Sequence, residues 1–270
     1  MALNIQTNVA SLEASRSVGR NQKSLMGSFN KLSSGYRVNS AADDAAGLAI
    51  SESMKSEIRS YTVAERNAGD GVSMAQTAEG ALGEVHEVLG RMRELAMQAS
   101  NGSLGGQDRD YIQNEFGKLG SEIDRIQQST KFNNKDLISS AASDSVTFQV
   151  GLNDQDYDKV SVSFNNLDLT DAIGATVDGD DTANALASLS TIDAAISSVS
   201  SKRSEFGSSI NRLEVATNNI QTMRLNISAA NSRIRDVDVA QESAAMAKNQ
   251  VLTQASISVL AQANQLPQLA

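Results

Sequence analysis

The chain has 270 residues, a formal net charge of −9 and an isoelectric point near 4.7. That acidity argues against nucleic acid, which needs a basic face, and against an anionic membrane surface. The absence of Cys excludes disulfides, thiolate chemistry and most structural zinc sites, and a single Pro favours long unbroken helices.

With 4% aromatic residues and no Trp, the core must be built from Leu, Ile, Val and Ala. No apolar run approaches the ~18 residues of a membrane-spanning helix. The first residues, "MALNIQTNVASLEASRS", show neither a basic nor an apolar leader region, so a cleaved secretory signal is not expected.

In chain order, Val18, Leu25 and Leu32 lie seven apart, with Phe29 between, and predict a short amphipathic helix. "LSSGYRVNSAADDAAG" (32–47) then breaks the pattern with Ser, Gly, Asn and paired Asp. Asp43 and Asp44 are read as caps for the helix that follows rather than as paired catalytic carboxylates. That helix, about 47–100, carries Met54, Tyr61, Ala68, Ala75, Leu82, Leu89 and Ala96 seven apart, with Ile58 and Val72 between. Its five glycines, Gly69, Gly71, Gly80, Gly83 and Gly90, each cost ~0.5–1 kcal/mol against Ala, so packing must hold it. "SNGSLGG" (100–106) ends it.

A helix over about 107–129 follows, with Ile112, Phe116, Leu119, Ile123 and Ile126 stepping by four and three. "SVTFQV" and "KVSVSF" alternate apolar and polar around an acidic turn and predict a β-hairpin over about 145–165. Residues 165–185 read as irregular surface. The longest stripe comes next, in a helix over about 186–230: Ile192, Val199, Phe206, Leu213, Ile220, Ile227 and Ile234 repeat every seven residues. Such a helix would be roughly 65 Å long. A second polar break, "NSRIRDVDVA" (231–240), leads to Leu252, Val259 and Leu266, again seven apart.

The expected fold is mainly α: a long antiparallel coiled-coil-like helical rod with a small β-hairpin, plus a terminal two-helix inner domain. The rod spans 47–230, and its seam is formed by Leu82, Leu89, Val199, Phe206, Leu213, Ile220 and Ile227, large residues facing small ones. Residues 1–33 and 241–270 pair as the inner domain. Segments 34–46 and 231–240 connect the two and are expected to settle against neighbouring subunits. A two-helix unit supplies too little core to stand alone. The stripes Val18, Leu25, Phe29, Leu32 and Leu252, Val259, Leu266 are therefore expected to be assembly surfaces, ordered by other copies or a partner.

This arrangement resembles bacterial flagellin. "NIQTNVASL" (4–12), "LSSGYRVNSAADDAAGLAIS" (32–51), "RMRELAMQASNG" (91–102), "EIDRI" (122–126) and "TKFNNKDL" (130–137) are similar to that family's N-terminal core. "NISAANSRIRDVDVA" (226–240) and "SVLAQANQLPQ" (258–268) are similar to its C-terminal core. The resemblance implies a filament subunit of the bacterial flagellum, secreted through the flagellar export channel. It implies partners in further copies of itself and in the export chaperone, cap and junction proteins. The large outer domains that the family inserts after the hairpin look absent. Family members also run a few apolar residues beyond the equivalent of "QANQLPQ". The alternative is a hook–filament junction protein or a related secreted rod.

Arg91 and Leu95 share a helix face that lies roughly 180° and 140° from the seam. Leu95 is either a scattered surface Leu or part of a contact surface. Arg91, Leu95 and Glu115 match the residues through which the flagellin-sensing Toll-like receptor of animals recognises the family's monomers, and the resemblance implies that recognition. His86, the only His, has no second ligand for a metal. Asp154, Asp156 and Asp158 begin like a calcium loop, but Lys159 and Asn165 break it. No nucleophile–base set and no phosphate loop is present, so neither an enzyme nor a cofactor is expected.

Overall fold

The computed structural model describes residues 8–139, 145–164, 167–179 and 182–265. The fold is mainly α, as the sequence predicts. In chain order it runs α1 (Val9–Ser34), α2 (Ala45–Ala99), α3 (Gly106–Ser129), β1 (Lys131–Phe132), β2 (Lys135–Asp136), β3 (Val146–Gln149), β4 (Lys159–Val162), α4 (Thr170–Ile173), α5 (Ala183–Arg235) and α6 (Val239–Gln265). The chain divides into two compact units, 1–58 with 225–270, and 59–224. These divisions fall inside α2 and α5, further along both helices than the segments 34–46 and 231–240.

In the unit 59–224, α2 and α5 run antiparallel. Glu65 meets Arg224 at 3.0 Å, Glu79 meets Arg203 at 2.8 Å and Arg93 meets Asp193 at 2.7 Å. Leu82 and Leu89 of α2 are buried, as are Ile192, Val199, Phe206, Leu213 and Ile220 of α5. Phe206 also packs on Phe164, just after β4, with ring centroids 5.4 Å apart.

α2 is buried on more than one stripe. Met74, Ala78, Val85, Met92, Leu95 and Ala99 are enclosed together with Ile112, Phe116 and Ile123 of α3. Gly71 shows why the helix tolerates a costly residue. A side chain there would press on Leu213 of α5 and Phe148 of β3, each at 3.1 Å. The glycine is where α5 and the hairpin both close on α2.

The β3–β4 hairpin forms where expected, pairing Val146 with Val162 and Gln149 with Lys159. A second, two-residue ladder, β1–β2, is not visible in the sequence pattern. Its turn residues Asn133 and Asn134 adopt φ of 46° and 64°, a conformation Asn tolerates better than most residues. Within 165–185, the described residues 167–179 and 182–185 are not the irregular surface expected. Leu167, Leu169, Ala172 and Val177 are buried. The Val177 amide donates to Gln113 of α3 at 2.7 Å, and Gln127 of α3 donates to the Leu167 carbonyl at 2.9 Å. Apolar residues without a helical or strand period look like loop in a sequence. Here side-chain amides from α3 satisfy their backbone instead.

In the other unit, α1 and α6 are helical and pair within the single chain. Asn8 donates to the Ala263 carbonyl at 2.7 Å, and Asn21 to Ser256 at 2.8 Å, so the helices are antiparallel. The two polar breaks also meet each other. Gly35, at φ 74°, ends α1 in the left-handed conformation. Tyr36 then forms an antiparallel bridge with Asp236, the Arg37 amide donates to the Arg235 carbonyl and the Val237 amide to the Gly35 carbonyl. Arg235 lies 4.6 Å over the Tyr36 ring and bonds Glu52 at 2.6 Å. Val38 is buried. The connection is held by its own chain.

Candidate assembly surfaces

The interior of the α1–α6 pair mixes apolar side chains with small and polar ones. On α1 the inward positions are Ser11, Val18, Asn21, Leu25, Ser28 and Leu32, of which only Ser28 is fully buried. On α6 they are Met246, Asn249, Thr253, Ser256, Leu260 and Ala263, with Thr253 and Ala263 buried. Val18, Leu25 and Leu32 therefore do face α6. Phe29 does not: it is 63% exposed. Leu252 and Val259, 41% and 55% exposed, lie one position off the inward row. Leu266 lies outside the described residues. Asn21 also donates to the Leu252 carbonyl at 3.4 Å.

The outward faces carry large apolar side chains among polar ones. Val9, Leu12, Met26 and Phe29 are exposed on α1, and Val251, Leu252, Ile257 and Val259 on α6. Leu25, Met26 and Phe29, with Gly19, Gln22 and Lys23, line a surface hollow of about 690 Å³. A second hollow of about 480 Å³ runs between the helices, past Ala14, Ser17, Leu252 and Val259. Apolar side chains gathered around such hollows mark a surface for interaction.

A second surface lies across α2 and α3. The Arg91 guanidinium donates to Glu115 through Nε and Nη2, at 3.1 and 2.8 Å, and to Glu94 through Nη1 at 2.9 Å. Its pKa is raised, first by the Glu94 hydrogen bond and then by Glu115. Leu95 is placed differently from the sequence expectation. It is 2% exposed, inside the core with α3, and is neither a scattered surface Leu nor a free contact residue. The wheel measures its angle from one seam, and α3 supplies a second. Of the other seam residues, Ile227 is half-buried and belongs to the terminal unit.

Sequence reasoning also misses Arg109. It is buried at the start of α3 and donates to the carbonyls of Ala99, Asn101 and Gly179 at 2.9, 3.3 and 3.3 Å. An Arg at an inward helical step, three before Ile112, is the available signal. Of the Asp pair only Asp44 caps α2, while Asp43 ties the break that precedes it. Asp44 accepts from the Gly47 amide at 2.8 Å, and Asp43 from the amides of Asn39 and Ser40 and from the Ser40 hydroxyl. In the hairpin turn Asp154 is tied to Lys159 and Asp158 to the Asn153 amide, so these carboxylates do not converge. Among the described residues no group of His, Cys, Asp and Glu could hold a metal, and no helix is long and apolar enough to cross a membrane.

Residues 5–143 match the bacterial flagellin N-terminal helical region, and residues 189–269 match the C-terminal helical region. This chain belongs to the bacterial flagellin family. Flagellins are structural proteins that build the extracellular filament of the flagellum. A flagellin of Halalkalibacterium halodurans is 43% identical over 264 residues, covering 98% of this chain and 97% of that one. A flagellar filament 30.7 kDa core protein of Treponema maltophilum is 38% identical over 274 residues, 96% and 95% of the two chains. The crystal structure of Bacillus cereus flagellin superposes with a TM-score of 0.51 at 31% identity, covering 62% of this chain and 94% of that chain. The flagellin match runs through both faces described above, the α1–α6 pair and the α2–α3 surface.

Proposed function

We propose that the chain polymerises by covering its outward α1 and α6 faces with the same faces of further copies. The observation that carries this is the set of large apolar side chains left outside the helix pair: Met26, Phe29, Leu252 and Val259. Burying such side chains yields roughly 1.5–3 kcal/mol each. Interfaces that repeat without closing build an open helical fibre. The segments 1–33 and 241–270 are the inner domain of this assembly, 47–230 the outer one, with 34–46 and 231–240 connecting them. The subunit reaches the filament through the flagellar export channel and meets the export chaperone, cap and junction proteins on the way.

The free monomer is also recognised by the flagellin-sensing Toll-like receptor of an animal host. Arg91 and Glu115 present the contact, and Leu95 supports it from beneath. Adding short filament seeds to the purified chain tests the main reading. Long filaments growing from the seeds, seen by electron microscopy, are the expected result. A chain that caps seeds without elongating them is a junction protein instead.

A further inference from the structure

We infer that Met26 is a site of oxidative modification that controls assembly: its thioether is open to peroxide in the free chain and shielded in the polymer. This rests on the filament reading above. Met26 is 69% exposed and sits at the rim of the hollow beside Phe29 and Leu25. The floor at Gly19 is open, with nothing within 4 Å of where a side chain would stand. Such a hollow receives an apolar side chain from the next copy, and Met is well suited to line it because its flexible thioether adapts to irregular partners.

The other described methionines are placed differently. Met74 and Met92 are buried, and Met54 and Met246 half-buried. Met223 is exposed, but its sulfur accepts a hydrogen bond from the Tyr61 hydroxyl at 3.3 Å. Met97 is exposed on α2, outside the terminal unit. Met26 thus combines exposure in the monomer with a place on a surface that assembly must dry.

The chemistry balances with hydrogen peroxide as the oxidant. A sulfur lone pair attacks one peroxide oxygen, the O–O bond breaks, and the leaving hydroxide takes a proton to become water. Sulfur loses two electrons and gains an S–O bond; peroxide is reduced. The sulfoxide is polar, so seating it in an apolar contact strands it without its water. Oxidised free chains are then excluded from the filament, while chains already assembled are protected.

The test treats the purified chain with hydrogen peroxide, maps each methionine by peptide mass spectrometry and measures elongation from seeds. Treatment should oxidise Met26 and slow elongation by about tenfold or more, as burial of an unpaired polar group implies. Met26→Leu should elongate normally after the same treatment, while Met97→Leu stays sensitive. Met26→Leu chains as sensitive as the parent overturn the inference. A second measurement needs no variant: Met26 should oxidise rapidly in free chains and slowly in preformed filaments. Equal rates in both states overturn it too. If untreated parent chains fail to elongate, the filament reading itself falls, and this inference with it.

Discussion

Arg91 and Glu115 are locked together across α2 and α3 by two hydrogen bonds to a single carboxylate oxygen, Nε at 3.1 Å and Nη2 at 2.8 Å. Both side chains are half exposed, so solvent screens the pair and it adds little to stability. Its contribution is geometric: it spreads a fixed guanidinium between two acids on the surface. Arg91→Ala should therefore leave circular dichroism and melting near those of the parent while abolishing receptor signalling by monomer. Unchanged signalling would remove Arg91 from the recognition surface. Leu95→Ala should behave oppositely, losing about 2–5 kcal/mol in a denaturant titration as a buried Leu does.

The glycines of α2 should split by sign. Gly80 faces open space, with nothing within 4 Å of where a Cβ would stand, and Gly80→Ala should stabilise by about 0.5–1 kcal/mol through helix propensity alone. Gly71→Val should cost about 1–3 kcal/mol, because it drives into Leu213 and Phe148. Thermal unfolding of both variants beside the parent decides this. Two shifts in the same direction would mean that the α2–α5–hairpin junction relaxes freely.

Those two positions show what can be read from sequence. Helix lengths, the α5 heptad and the hairpin follow from periodicity, since Val199, Phe206 and Leu213 repeat on one face whatever they pack against. Which α2 residues face which neighbour does not follow. The heptad marks one stripe, and Val85, Met92 and Leu95 are buried on another, in the same core as Ile112, Phe116 and Ile123 of α3. Leu167 and Val177 are invisible for a different reason: their backbone is satisfied by hydrogen bonds with Gln127 and Gln113, far away in sequence. At the surfaces, the resemblance locates Arg91 and Glu115, but no periodicity can pair them.

Arg109 holds the α2–α3 turn and the segment before α5 by donating to three carbonyls from a buried position. Arg109→Met keeps the apolar stem and removes the donors. Each carbonyl left dry costs about 1–3 kcal/mol. Hydrogen exchange should show faster opening of residues 99–105 and 175–179 with α5 unaffected. A variant with unchanged exchange there would show that the turn is held by its other contacts.

Asp43 ties the break after α1 by accepting from the Ser40 amide, the Ser40 hydroxyl and the Asn39 amide, in that order of effect on its pKa, which is lowered. A carboxyl held below its unfolded value stabilises the fold when ionised. The contribution is present above the ordinary Asp range, about pH 4, and is lost as pH falls through the lowered value. Protection of the Asn39 and Ser40 amides should therefore decline only in acid. In Asp43→Ala it should be low at every pH. Protection in the parent that is flat across this range would mean that the Tyr36–Asp236 bridge alone orders the segment.

Leu252 and Thr253 are adjacent in sequence and opposite in consequence. Thr253 is buried against α1, and Leu252 points outward at 41% exposure. Under the proposed assembly, Leu252→Ser should leave the monomer's helical content and melting intact yet stop elongation from seeds. Thr253→Leu should overpack the α1–α6 interior and loosen the pair in the monomer, at about 1–3 kcal/mol. The comparison needs circular dichroism for the fold and light scattering for the polymer. If Leu252→Ser elongates at the parent rate, that face of α6 is not an assembly surface. If both variants fail only in assembly, the pairing of α1 with α6 in the monomer contributes nothing to its stability.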